Sequence, residues 1–320
     1  MAEGARRAGW ECRVLPMADG GEGTLDAFGG LNRISTVRAA NGGDVAAGWR
    51  MDDSGLAVIE MAAAAGLQQA GGREGNDPVH ATTAGVGDLI VEALDARATR
   101  VVLGLGGSAT TDGGWGAVQV LESYAPLAGP DAWYSVVVAH DVFTSFTAAV
   151  PVFGPQKGAS ADQVRILTRR LEELQERYLA RYGVDLSHVP GAGAAGGLAG
   201  GLVALGAELV PGFDVVAGVV HLRKAMAGVD LVITGEGLLD SESFNGKVVG
   251  GVAEMAHTAG HPVLVVAGES TVDRHDAIRV VSVVERFGVE RSWNATLACV
   301  QDVVLEHLCS IEGPATGASG

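Results

Sequence analysis

The stretch RVVLGLGGSATTDGG, from Arg100 to Gly114, sets the frame for the whole chain. A continuous Val/Leu run with no polar alternation suits a strand buried on both faces, and such strands belong to parallel sheets covered by helices. Further β-like runs lie at Glu11–Met17, Ala57–Met61, Ser135–Ala139, Asp230–Thr234, Pro262–Val266 and Val280–Val284. Helical stretches at Thr24–Phe28, Thr83–Ala96, Ser160–Tyr182, Val248–Ala259 and Thr296–His307 alternate with them. This alternation predicts an α/β fold.

The best-defined helix spans 161–182. Val164, Leu167, Leu171, Leu174 and Tyr178 share one face, Ser160 with Gln163 forms a capping box, and Gly183 supplies the stop. Ala2–Gly9 reads as the last turns of a helix closed by Gly9, so the chain enters its first βα unit midway. The final GPATGASG is expected to be disordered.

Composition excludes several functions. A net charge of −16 argues against nucleic-acid partners and against an anionic membrane surface. An anionic substrate would need a site that gathers its own cations. Cys12, Cys299 and Cys309 have neither metal-ligand spacing nor an even framework, which fits a reducing cytoplasm. No apolar run reaches about 18 residues, so no membrane span is expected. The 48 glycines have no period, and apolar runs separate them, which excludes a collagen-like chain.

Glycine gathers with polar residues where strands should end. LPMADGGEGT places Asp19, Gly20, Gly21 and Glu22 at such a step, and GLGGSATTDGG places Gly106, Gly107, Ser108, Thr110 and Asp112 at another. Backbone N–H groups freed by glycine can cradle phosphate, and a carboxylate there can hold a metal. A tight βα turn is the competing explanation, and G-x-x-x-x-G-K-[ST] is absent. VVVAHDVFT ends a strand at Asp141, with His140 beside it as a weak acid/base candidate. Asn76, Thr82 and Thr83 precede a helix and could cap it or bind an anion. Trp115 is assigned to packing.

Gly191, Gly193 and Gly196 match G-x-G-x-x-G, but the preceding DLSHVP does not read as the buried strand a dinucleotide site needs. A close-packed or substrate-lining glycine helix explains this run better than NAD binding. In DLVITGEGLLDSESFNGK a strand ends at Thr234, Gly235–Gly237 turn the chain, and Glu236, Asp240 and Lys247 follow. Lysine is rare: three residues, Lys157, Lys224 and Lys247, against nineteen arginines. Two of the three sit in glycine loops, where a compact charge suits phosphate. Carboxylates, hydroxyls, loop lysines and glycine loops together suit metal-assisted phosphoryl transfer.

Five motifs in this order, LPMADGGEGT, GLGGSATTDGG, VFGPQKGA, PGAGAAGGL and LVITGEGLLD…GK, resemble the bacterial-type glycerate kinase family over nearly the whole chain. The resemblance implies ATP-dependent phosphorylation of D-glycerate with Mg²⁺, 2-phosphoglycerate being slightly favoured. It implies a flavodoxin-like parallel-sheet domain, residues 1–30 plus 222–312, with a second α/β domain inserted at 31–221 and a tail at 313–320. Catalytic work would fall to Asp19, Glu22, Asp141, Glu236, Asp240 and Lys247. Substrate or nucleotide would meet Gly20, Gly21, Gly106, Gly107, Ser108, Thr110, Lys157, Gly193, Gly196 and Gly197. Asp112 and Asp141 would hold the metal, and a homodimer is compatible with these features.

Family members usually begin with a strand and a loop of the form A-P-D-x-F-K-G-S, which this sequence lacks. Asp19 and Glu22 are therefore expected to face a half-built side of the site. Thr111 stands for a common Asn, Leu238 for a common Arg and His140 for a common Cys. A catalytically impaired paralogue that binds a nucleotide or acid and regulates is the alternative.

Overall fold

The computed structural model describes residues 1–244, 246–272 and 278–311. The expected tail at 313–320 lies outside the described residues. The chain divides into two compact units, Met17–Val216 (the middle unit) and Met1–Pro16 with Ala217–Gly320 (the terminal unit).

The middle unit is built on a six-stranded sheet in sequential order. Its strands are β1 (Arg33–Arg38), β2 (Asp44–Met51), β3 (Leu56–Glu60), β4 (Arg100–Gly104), β5 (Ser135–His140) and β6 (Glu208–Pro211). β1, β2 and β3 pair antiparallel, and β3 to β6 run parallel. The parallel strands are the continuous apolar runs: Val101, Val102 and Leu103 of β4 pair with Val136, Val137 and Val138 of β5, all buried. Such strands need cover on both faces.

Helix Ala84–Asp95 buries Val86, Leu89, Ile90, Ala93 and Leu94, an i, i+3, i+4, i+7, i+8 stripe. Helix Ala161–Tyr182 buries Leu167, Leu171, Leu174 and Tyr178. Its capping box is complete: Ser160 Oγ accepts from Gln163 N at 3.3 Å, and Gln163 Oε1 accepts from Ser160 N at 2.8 Å. Gly183 closes it in the left-handed conformation.

The β1–β2 hairpin was not anticipated. Its signal is AANGGD: Asn41 Oδ1 accepts from Gly43 N at 3.2 Å, and Gly42 has φ +84°. β6 was missed as well. It is short and ends in Pro211, which confines it to the sheet edge.

The terminal unit holds a three-stranded parallel sheet, β7 (Val232–Leu239), β8 (Val263–Ser270) and β9 (Arg279–Ser282). Ala5 of helix Ala2–Arg7 joins Leu264, Val266, Cys299, Val303, Val304 and Leu308 in its core. Gly4 allows that helix to meet Thr296–Ser310 closely, since a Cβ there would lie 2.5 Å from Gln301 O.

Two expectations are corrected. Glu11–Met17 is not a strand: it is irregular, and Val14 is 61% exposed, so its apolar side chains find no sheet to cover. Gly235–Gly237 do not turn the chain after Thr234. β7 runs on to Leu239 because Glu236, Leu238 and Leu239 keep their register with Ala267, Glu269 and Ser270 of β8. Among the described residues no helix is long and apolar enough to cross a membrane.

Candidate active site

In the middle unit the glycine loops meet at the carboxyl ends of β4 and β5. The Asp19–Glu22 loop lies on them backbone to backbone. Leu105 N donates to Gly20 O at 2.7 Å, and a Cβ on Gly106 would stand 2.7 Å from both Glu22 N and Gly21 Cα. On the other side, a Cβ on Gly20 would stand 2.7 Å from Ala139 O. Only glycine permits this stacking. The loop is braced by Asp19 Oδ1, which accepts from Gly21 N at 3.3 Å, and by Thr24 Oγ1, which donates to Gly21 O at 2.7 Å. Glu60 Oε1 accepts from Leu25 N at 2.8 Å and so holds the helix that follows. Glu22 is exposed, and Asp19 and Asp141 are half-buried, Asp141 directly after β5.

Ser108, Thr110 and Lys157 come together. Lys157 is 4% exposed, and its Nζ donates to Thr110 O at 2.7 Å and to Ser108 Oγ at 3.2 Å. Asn76 Nδ2 donates to Ala109 O at 3.0 Å and to Lys157 O at 2.8 Å. Burial pushes the Lys157 ammonium down to about 7, against a smaller upward pull from Asp112.

Asp112, which the sequence reading expects to hold the metal, accepts four hydrogen bonds. Its Oδ2 accepts from Thr83 N (2.9 Å), Thr83 Oγ1 (2.9 Å) and Gly116 N (3.1 Å), and its Oδ1 accepts from Gly114 N (3.1 Å). It caps helix Trp115–Leu121 and holds Thr83 at the head of Ala84–Asp95. The anion at the Thr82–Thr83 helix start is thus Asp112 itself. Tyr178 Oη donates to Gly113 O at 2.9 Å, and burial, then the Asp112 charge, push its phenol far up.

The Gly193–Gly197 run packs against the same turn. Gly113 N donates to Gly196 O at 3.0 Å, and a Cβ on Gly196 would lie 2.0 Å from Thr110 O. Close packing therefore accounts for the G-x-G-x-x-G match, and no strand leads into it. Trp115 packs on the core with Arg177 5.0 Å above its ring. His140 is also held: Nδ1 lies 2.8 Å from Val142 O, Phe143 meets the ring edge to face, and Gly191 leaves no space for a Cβ. A carbonyl only accepts, so Nδ1 carries the proton in the neutral ring.

In the terminal unit, Glu236 sits within β7, and its Oε1 is buried with no hydrogen-bond partner among the described residues. Asp240 Oδ1 accepts from Glu242 N (2.9 Å), Ser243 N (3.1 Å) and Ser243 Oγ (3.3 Å), which organises the turn Ser241–Phe244. Lys247 immediately precedes helix Val248–Thr258.

Sequence reasoning missed Asn76 as the clasp between Ala109 and Lys157, because its partners lie 33 and 81 residues away. It also missed Tyr178 as a polar anchor. The helical spacing placed Tyr178 in the core but said nothing of its hydroxyl.

Glycine loops stacked on parallel strand ends belong to an α/β architecture whose ligands sit at that edge of the sheet. A model of the glycerate kinase family matches residues 1–125 and 130–305, and the chain belongs to that family. It is a kinase. It is 38% identical over 309 residues to a glycerate 2-kinase of Escherichia coli K12, covering 86% of this chain and 79% of that protein. It is 38% identical over 298 residues to a glycerate kinase of Bacillus subtilis 168, covering 83% and 78%. A solved structure from Salmonella typhimurium LT2, assigned as a glycerate kinase 2, superposes with TM-score 0.77 at 32% identity, covering 96% of this chain and 91% of that one.

Proposed function

We propose that this chain transfers the γ-phosphoryl group of ATP to D-glycerate, with 2-phosphoglycerate as product and Mg²⁺ travelling with the nucleotide. The observation that carries the reading is the stacking of the Gly20–Gly21 loop on Gly106 over the ends of β4 and β5. In open α/β sheets that edge is where ligands sit. The name of the Escherichia coli relative favours the 2-phosphate product.

Among the described residues no group of three or more His, Cys, Asp or Glu could hold a metal ion. Mg²⁺ in kinases needs only one or two carboxylates beside nucleotide phosphates. Asp112 fits that part less well, because three donors crowd its Oδ2 and Gly114 N takes one side of its Oδ1. Within the terminal unit, Glu236 has the chemistry of such a ligand, because a buried carboxylate oxygen without a donor among the described residues is what a cation or a ligand hydroxyl would satisfy. When bound, Mg²⁺ offsets the charge of the transferring phosphoryl group.

Asp19, Glu22 and Asp141 supply the acceptor for the substrate hydroxyl proton. Lys247 offers a cation at a helix start. Cys12, Cys299 and Cys309 are free thiols, which supports a reducing cytoplasm as the working compartment. The test is incubation with D-glycerate and MgATP, with products resolved by ³¹P NMR. 2-Phosphoglycerate is expected. 3-Phosphoglycerate would overturn the regiochemistry, and ADP release without any phosphoglycerate would overturn the substrate.

A further inference from the structure

Lys157 is a buried cation without a buried anion. Its side chain runs inward from the turn Pro155–Lys157, and no carboxylate pairs with it among the described residues. The charge that pulls on it is that of Asp112, which already accepts from four other donors. An ammonium in that position carries a desolvation cost that a neutral core residue would not. Its partners are all on one loop. Thr110 O and Ser108 Oγ take its protons, while Asn76 ties Ala109 O to Lys157 O, so 108, 109 and 110 are each held from the Lys157 side.

Ser108 is the link outward. Its Oγ accepts from Lys157 Nζ at 3.2 Å and from Thr110 N at 3.2 Å. With both lone pairs engaged, the Ser108 hydroxyl is left to donate. Its acceptors within the protein are poor: Thr110 O at 3.4 Å, or Thr110 Oγ1 at 3.2 Å, itself a hydroxyl. A phosphate oxygen at the Gly106–Ser108 loop would be a better one, and a charged lysine behind the serine strengthens that donation.

We propose that Lys157 is a positioning residue that never touches the nucleotide but senses its phosphate through the Ser108 hydroxyl, so that phosphate binding and protonation of Lys157 are coupled. The missing counter-anion of the buried ammonium is the ligand. This rests on the ATP-dependent kinase reading of the same site.

The sign follows from linkage. The protonated form binds phosphate better, so binding raises the proton affinity of Lys157 and takes up a proton wherever the free protein has lost it. With the free ammonium titrating at about 7, uptake is expected at pH 8 and fades by pH 6. The apparent affinity for MgATP should fall roughly tenfold between pH 7 and 8.5.

The experiment is calorimetric titration of the full chain with MgATP, without glycerate, in two buffers of different ionisation enthalpy at pH 6 and pH 8. Wild type, Lys157→Met and Ser108→Ala are compared. Met fills the lysine's volume without its charge, and Ser108→Ala leaves Lys157 in place should the first variant misfold. Wild type should take up close to one proton at pH 8. Both variants should bind MgATP more weakly with no pH-dependent uptake, and Lys157→Met should lose the pH dependence of the MgATP KM, whatever its kcat. Equal proton uptake in wild type and either folded variant would overturn the coupling and leave the kinase reading intact. No MgATP binding by wild type at either pH would overturn the kinase reading and the coupling with it.

Discussion

Replacing Asp112 separates two explanations of a carboxylate in a glycine loop. If it ligates a metal, its loss should abolish activity and leave the fold unharmed. If it does what the geometry shows, its loss should first of all destabilise the middle unit. Asp112→Ala strips the acceptor from Thr83 N, Thr83 Oγ1, Gly114 N and Gly116 N. A hydrogen bond to a charged acceptor contributes about 1.5–3 kcal/mol, and a helix cap about 1 kcal/mol. The four donors share one small space that water can enter, so their losses do not add fully, and ~3–5 kcal/mol is expected. Asp112→Asn keeps an acceptor for the three donors now on Oδ2 and turns an NH₂ toward Gly114 N, for a cost of about 1–2 kcal/mol. In a unit of this size that corresponds to melting-temperature losses of about 10 °C for Ala and a few degrees for Asn. Thermal unfolding by circular dichroism, read beside kcat, gives the answer. Both variants melting within a degree of wild type while kcat collapses would refute the capping role.

Gly106→Ala drives a methyl into Glu22 N and Gly21 Cα, so it should displace the Asp19–Glu22 loop and cut kcat/KM for glycerate at least tenfold in steady-state assays. Glu236→Gln should lower kcat by about 10²-fold or more with an unchanged melting temperature, since its Oε1 accepts no bond among the described residues; full activity would remove it from catalysis. The His307 imidazole is held below its usual range by burial, then by Arg279, and its Nδ1 has no partner among the described residues. Unfolding therefore takes up a proton, and stability present above about pH 6.5 is lost as pH falls through the lower folded value. His307→Leu should flatten the difference between melting temperatures at pH 7.5 and 5.5, and an equal acid loss in both proteins would assign it elsewhere.

Much of the fold was legible because its signals are local. The Ser160–Gln163 box, the stripe from Leu167 to Tyr178 and the Gly183 stop all act within one or two turns, and the structure contains each of them. The apolar runs of β3, β4 and β5 were legible for the same reason. Glu11–Met17 misled because strand-like composition does not supply a strand to pair with. β1 and β2 escaped notice because their solvent-facing residues, among them Arg33, Thr36 and Arg38, dilute the apolar pattern. The Asn41–Gly42 turn was the signal that could have found them.

By itself the sequence determined the class of fold and the places where glycine must stand. Alternating period and glycine content are properties of neighbouring residues, and they survive in the chain before it folds. Only the tertiary structure decided what the polar groups between the glycines do. Lys157 reaches a loop 47 residues away, and Asp112 meets Thr83 29 residues away. Whether such a group faces solvent, a ligand or a helix end depends on which distant donor or acceptor arrives first at hydrogen-bonding distance. Packing sets that, and here it buries Lys157 against Ser108 and Thr110 and brings four donors to Asp112.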